Sequence, residues 1–180
     1  MDLKNENLFC EARILTTSFF LRPATELAPA LLGKILCRST ENGVLRLRIT
    51  ETECYFGEED TACHAHKGKT ERTRPMYESG GITYVYICYG IHSLLNIVTG
   101  DEGHPEAVLI RGVESAIGPG RATKLLGITL ADNALSLTEE SGIWIEDDGS
   151  KPPKLERTAR IGIDYAIKRD RERKWRFVAK

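Results

Sequence analysis

Two stretches of the chain carry side chains able to do chemistry. Glu51-Thr-Glu-Cys-Tyr55 sets two carboxylates beside an aromatic, and Tyr84-Val-Tyr-Ile-Cys-Tyr-Gly90 places three tyrosines in seven residues. In a strand, alternate side chains share a face, so Tyr84 and Tyr86 point together while Tyr89, next to a glycine, projects from a turn. Two rings lining a slot, with a carboxylate nearby, suit a flat, apolar, hydrogen-bonding ligand such as a nucleobase. The carboxylate then has the chemistry of a general base. The same tyrosines are equally compatible with plain core packing, since aromatics are favoured in strands.

The strand leading to the acids fixes what their burial means. Leu45, Leu47 and Ile49 share one face, and Arg46, Arg48 and Thr50 the other. Unbroken alternation puts Glu51, Glu53 and Tyr55 on the apolar face, where a carboxylate must be paired, hydrogen-bonded or protonated, and its pKa rises. A bulge near Thr52 would reverse this parity and return the acids to solvent. Parity alone does not choose between Glu51 and Glu53.

Cys54, Cys63, His64 and His66 crowd together, but their spacing is not the paired CxxC or HxxxH of zinc sites, and no metal is expected. The zinc-deaminase signature, the Gly-x-Ser-x-Gly elbow, the Walker A loop and the Gly-x-Gly-x-x-Gly fingerprint are all missing.

The elements that must position these residues follow from pattern. Residues 24–33 read as a short helix, with Thr25 as N-cap, Gly33 as stop and Pro29 limiting its length. Extended runs at residues 34–39 and 44–55 flank Glu41-Asn-Gly43, a hairpin signal. Residues 57–81 have no sustained period and read as a long loop of the kind that carries function. Residues 82–88 and 91–99 form a second hairpin around Tyr89-Gly90, followed by a buried strand at 107–113. Gly118-Pro-Gly120 opens an amphipathic helix at 121–126 that Gly127 closes, and short strands follow at 143–145 and 175–178. The sum is one α+β domain over residues 1–180, a curved, mainly antiparallel sheet flanked by helices with a protruding hairpin. Residues 1–8 and the basic C-terminus are expected to be flexible.

The net charge of −1 conceals an asymmetry. From Ser150 onward eleven Lys or Arg oppose four acids, a surplus of +7, so the first 149 residues carry −8. A second basic run, Lys67 to Arg74, interrupts that acidic part. Such patches suit phosphates, although mixed charged surfaces are also ordinary. Five cysteines without a paired motif argue against a disulfide framework and for a reducing cytoplasm. The opening residues are too polar for a signal peptide and no apolar run would span a bilayer, so no membrane association is expected.

Three long motifs in order resemble the alkyladenine (3-methyladenine) DNA glycosylase family. They are Ile49-Thr-Glu-Thr-Glu-Cys-Tyr-Phe-Gly-Glu-Glu-Asp-Thr-Ala-Cys-His64, Arg72-Thr-Arg-Pro-Met76, and the stretch from Tyr84-Val-Tyr-Ile-Cys-Tyr-Gly to Asn96. The likeness extends from Phe19-Phe20 through Val108-Leu-Ile-Arg111 and Gly118-Pro-Gly120 to Arg160-Ile-Gly-Ile163. The resemblance implies hydrolysis of the N-glycosidic bond of alkylated or deaminated purines in double-stranded DNA by a monomer, with no metal or cofactor, leaving an abasic site. By position in the motif it implies Glu53 as general base. Tyr55, His64 and Tyr86 hold the flipped base, Tyr84 and Arg111 stand beside the pocket, Asn96 discriminates purines, and Tyr89 fills the gap left in the duplex. Lys67, Lys69, Arg72, Arg74 and the basic C-terminus would hold phosphates.

Ser93 departs from the bulkier residue common in the family hairpin, Lys168 to Lys174 is more charged than usual, and the chain ends several residues early. These departures keep a catalytically silent binding module as an alternative, and a free purine nucleosidase is a second.

Overall fold

The computed structural model describes residues 12–180, so Cys10 and the expectation of flexibility for residues 1–8 lie outside it. Ten strands build the fold: β1 (Arg13–Ile14), β2 (Ile35–Thr40), β3 (Gly43–Phe56), β4 (Thr83–Cys88), β5 (His92–Val98), β6 (Glu106–Val113), β7 (Ala116–Ile117), β8 (Ile143–Asp147), β9 (Leu155–Thr158) and β10 (Arg176–Ala179). Their order is β1-β8-β2-β3-β6-β5-β4, with β7 added to β6 and with β10 joining both β3 and β9. Every pairing is antiparallel. Four short helices flank the sheet, α1 (Thr17–Phe20), α2 (Ala24–Ala30), α3 (Pro119–Leu126) and α4 (Lys168–Glu172). This is the α+β sheet expected, open rather than closed into a barrel. Among the described residues no helix is long and apolar enough to cross a membrane.

The main core lies between α2, α3 and the sheet, with Phe20, Leu27, Leu31, Leu36, Ile49, Ile110 and Phe177 fully or almost fully buried. Turn chemistry sets the strand ends. The first hairpin closes where Gly43 takes φ +106° and accepts from the Thr40 hydroxyl at 2.7 Å. The second closes on Tyr89 and Gly90, both left-handed at φ +51° and +73°, the backbone of a hairpin turn of type I′. A tyrosine in that region is strained, and nothing packs against it, since Tyr89 is 89% exposed. α3 is bounded as expected, with Pro119 in its first turn and Gly127 at φ +63° ending it. Gly120 lies so close to His92 that a Cβ there would meet the ring at 3.0 Å, which lets α3 pack tightly on the hairpin.

Three local expectations are corrected. α2 starts two residues earlier than a Thr25 cap requires, with Pro23 in the cap position. Its free first amide, Ala24 N–H, donates at 2.6 Å to the buried Glu106 carboxylate, which does the work of a cap from another strand. Helix α2 ends at Ala30, with Pro29 in its last turn, so Gly33 serves the turn into β2 rather than the cap. The loop at 57–81 holds two 3-10 turns, His64–Lys67 and Arg74–Tyr77.

Candidate active site

β3 positions the acids through an irregularity. Its register with β6 slips on both sides of Glu51. Before the slip Leu47 and Ile49 enter the main core; after it Cys54 does, and the Thr52 hydroxyl donates to the Ala28 carbonyl of α2 at 2.7 Å. The unbroken alternation expected for β3 is therefore wrong, and Glu51, Glu53 and Tyr55 face away from that core. The acids nonetheless do not reach solvent, because residues 160–163 and the Arg176 side chain of the neighbouring strand β10 lie against them. Glu53 is fully buried and Glu51 almost so.

Each carboxylate is held differently. Glu51 accepts from Arg111 Nε at 2.9 Å and from Arg176 Nε at 2.6 Å. Glu53 accepts from the Ile161 amide at 2.8 Å on Oε1 and from the Tyr55 hydroxyl at 2.9 Å on Oε2, with Arg111 Nη1 at 3.4 Å from Oε1. Burial pushes the Glu53 pKa above the ordinary 4.5, opposed in turn by Arg111, the Ile161 amide, Tyr55 and Arg160. An ionised carboxylate has about four lone-pair sites. The Ile161 amide and the Tyr55 hydroxyl occupy two of these, and Arg111 contributes charge, so capacity to accept from a water remains.

Above these acids a cavity of about 540 Å³ opens, a size suited to a single flat ring with its sugar. Tyr55, Arg111 and Ile161 line it and each touches Glu53, so they form the wall between cavity and carboxylate. Tyr84 and Tyr86 lie 5.6 Å apart, tilted by 34°, with the Tyr86 ring on the same cavity. His64 meets Tyr86 edge-on at 4.5 Å, and its Nδ1 is 3.0 Å from the Tyr84 hydroxyl. Burial, aided by Arg72, lowers the His64 pKa to about 4, so the imidazole is neutral at physiological pH. Asn96 Nδ2 donates to the Tyr84 carbonyl at 3.0 Å, which uses one of its two N–H groups and leaves the carbonyl oxygen free on the cavity side. Tyr89 stands at the rim.

The structure thus brings together Glu53, Tyr55, His64, Tyr84, Tyr86, Asn96 and Arg111. Of the basic loop, Arg72 reaches the cavity, and Lys67, Lys69 and Arg74 are exposed beyond it. The basic C-terminus is committed elsewhere in part: six of its eleven cations, Arg160, Lys168, Arg169, Arg173, Arg176 and Lys180, pair with carboxylates of the chain itself.

Two supports had no assigned role in the sequence. Arg160, fully buried, makes a bidentate bond to Asp60 at 2.5 and 2.8 Å and lies 4.8 Å over the Tyr55 ring. Arg176 of β10 completes the cage of Glu51. An arginine set in Arg-Ile-Gly-Ile163, amid apolar residues, was the one available signal for the first.

An aromatic cavity with a caged carboxylate directly behind its wall suits an enzyme that holds a planar ring and acts on a bond at its edge. The profile of the family described as methylpurine-DNA glycosylase (MPG) matches residues 18–118 and 114–180. Curated proteins named "Putative 3-methyladenine DNA glycosylase" are similar over nearly the same span. That of Psychrobacter cryohalolentis is 41% identical over 183 residues, covering 85% of this chain and 86% of its own. That of Borreliella afzelii is 41% identical over 171 residues, 88% and 92%. That of Methanocella arvoryzae is 40% identical over 187 residues, 93% and 92%. The chain belongs to the methylpurine-DNA glycosylase family. It is a DNA glycosylase, a hydrolase acting on N-glycosyl bonds, and DNA is its substrate.

Proposed function

We propose that this glycosylase, acting as a monomer on double-stranded DNA, flips alkylated or deaminated purines into the aromatic cavity and releases them by water attack, leaving an abasic site. The observation that carries this reading is Glu53, fully buried behind Tyr55 and Arg111, hydrogen-bonded in its ionised form, and left with a lone pair for water. The names of the relatives, which specify 3-methyladenine, support an alkylated purine as one substrate.

Each role follows from placement. As the C1′–N9 bond breaks, positive charge develops on the sugar, and the Glu53 carboxylate both stabilises it and takes a proton from the attacking water. Tyr55, Tyr86 and His64 enclose the flipped ring. Asn96 offers a carbonyl oxygen that would meet the exocyclic amine of guanine or repel a carbonyl, which is how purines would be sorted. Tyr89, already projecting on a strained turn, fills the place the base vacates and offsets part of the few kcal/mol spent on unstacking. Arg111 reaches both neighbouring acids, its Nε 2.9 Å from Glu51 and its Nη1 3.4 Å from Glu53, and favours the charged form of Glu53.

Single-turnover release from duplexes carrying hypoxanthine or from methylated DNA, with Glu53→Gln alongside, tests the assignment. Release by the native protein that falls by three orders of magnitude or so in the variant, with DNA binding retained, is the expected result. Equal release from both proteins would move the base to another residue, and binding without release from either would leave a module that only recognises damage.

A further inference from the structure

We propose that Arg72 is a specificity-determining residue, whose guanidinium over Tyr86 at the mouth of the cavity tilts the site toward neutral damaged purines and against those carrying a ring cation. The inference rests on the proposed excision of flipped purines. Arg72 Cζ lies 5.3 Å from the Tyr86 ring centroid, and the residue lines the cavity while remaining exposed on its outer side. A tyrosine face would ordinarily attract an alkylated, cationic purine. Here the protein's own cation already occupies part of that attraction.

The other charges around the cavity compensate one another. Arg111 lies between Glu51 and Glu53, Arg176 pairs with Glu51, and Arg160 with Asp60. His64 is neutral. Among the described residues Arg72 has no carboxylate within ion-pair distance, so its charge is the uncompensated one. A purine that enters as a cation meets a like charge in a partly desolvated cavity, where repulsion is weakly screened. A neutral purine escapes this penalty. When its C1′–N9 bond breaks, the electron pair departs with the ring, which becomes anionic until solvent reprotonates it, and the guanidinium stabilises that anion. A cationic purine leaves neutral and gains nothing.

The test compares two duplexes identical except for the lesion, hypoxanthine or 7-methylguanine, under single-turnover conditions with saturating enzyme. Native protein, Arg72→Gln and Arg72→Lys are run on both, with thermal melts confirming folding. Expected is a fall of about ten-fold or more in the hypoxanthine to 7-methylguanine rate ratio in Arg72→Gln, some 1.4 kcal/mol, and a ratio close to native in Arg72→Lys. An unchanged ratio, or an equal fall on both substrates as a mere phosphate anchor would give, overturns the inference. If the native protein releases neither base, the excision reading itself fails and takes the inference with it.

Discussion

Opposed influences on Glu53 decide where in pH the enzyme works. Burial raises its pKa above the ordinary 4.5, while Arg111, the Ile161 amide and the Tyr55 hydroxyl pull it back. The general base must be ionised, so base release should decline as pH falls through this raised value. Tyr55→Phe removes a donor that favours the ionised form, and the acid limb of the single-turnover pH profile is therefore expected to move to higher pH. A shift to lower pH would mean that Tyr55 does not donate to the working carboxylate. Stability moves with pH in the opposite direction. A group whose folded pKa lies above its unfolded one gives stability that is complete below pH 4.5 and is lost as pH rises through the folded value, so Glu53 destabilises the neutral-pH enzyme that it makes active. At this scale the sequence was legible as far as composition goes: acids and tyrosines in dense motifs marked the site, but the bulge beside Glu51 is a property of two strands together, and no pattern within β3 announces it.

Elements were read well wherever a turn residue marked their ends and poorly where pairing creates them. Gly43, Gly90 and Gly127 each take the left-handed backbone their turns demand, and the hairpins and α3 appear where these glycines place them. β9, Leu-Glu-Arg-Thr158, has no alternating pattern and exists because β10 lies beside it. The two segments that wall the cavity, the loop after β3 and residues 160–170, are likewise joined only in space. Asp60 bonds Arg160, and Asp170, brought down to about 2 because the Thr61 bonds and Arg169 outweigh the effect of burial, bonds Thr61 through its hydroxyl and amide. Asp60→Asn would strand a buried guanidinium. The expected cost is about 3–5 kcal/mol, seen as a lower urea midpoint at unchanged m-value. A change under 1 kcal/mol would show that the pair does not join the two walls.

Across the whole molecule, charge is distributed differently from its distribution along the chain. Six of the eleven cations after Ser150 are engaged in internal pairs, while Lys151, Lys154, Arg157, Arg171 and Lys174 there, and Lys67 and Lys69 in the loop before the cavity, are exposed and have no carboxylate partner among the described residues. The loop run adjoins Arg72 on the cavity, so DNA affinity should depend on salt through it more than through the paired cations. Replacing Lys67 and Lys69 together by Ala is expected to lower the slope of log K against log salt by about 2, since each phosphate contact contributes about 0.9. The same replacement of Lys168 and Lys180, both engaged in ion pairs, should change it little. The reverse ranking would assign the phosphate contacts to the C-terminal segment rather than to the loop.

β10 has a temporal implication. The strand that closes over Glu51–Glu53 comes from the far end of the chain, and the Arg176 to Glu51 bond spans 125 residues. Closing so long a loop is slow compared with forming the local hairpins, and on the ribosome it cannot begin until β10 has emerged, 125 residues after Glu51. The cage around the acids is consequently assembled after the hairpins. A nascent chain still lacking β10 would hold Glu51 without its Arg176 partner, so bond-cleaving competence waits on that strand.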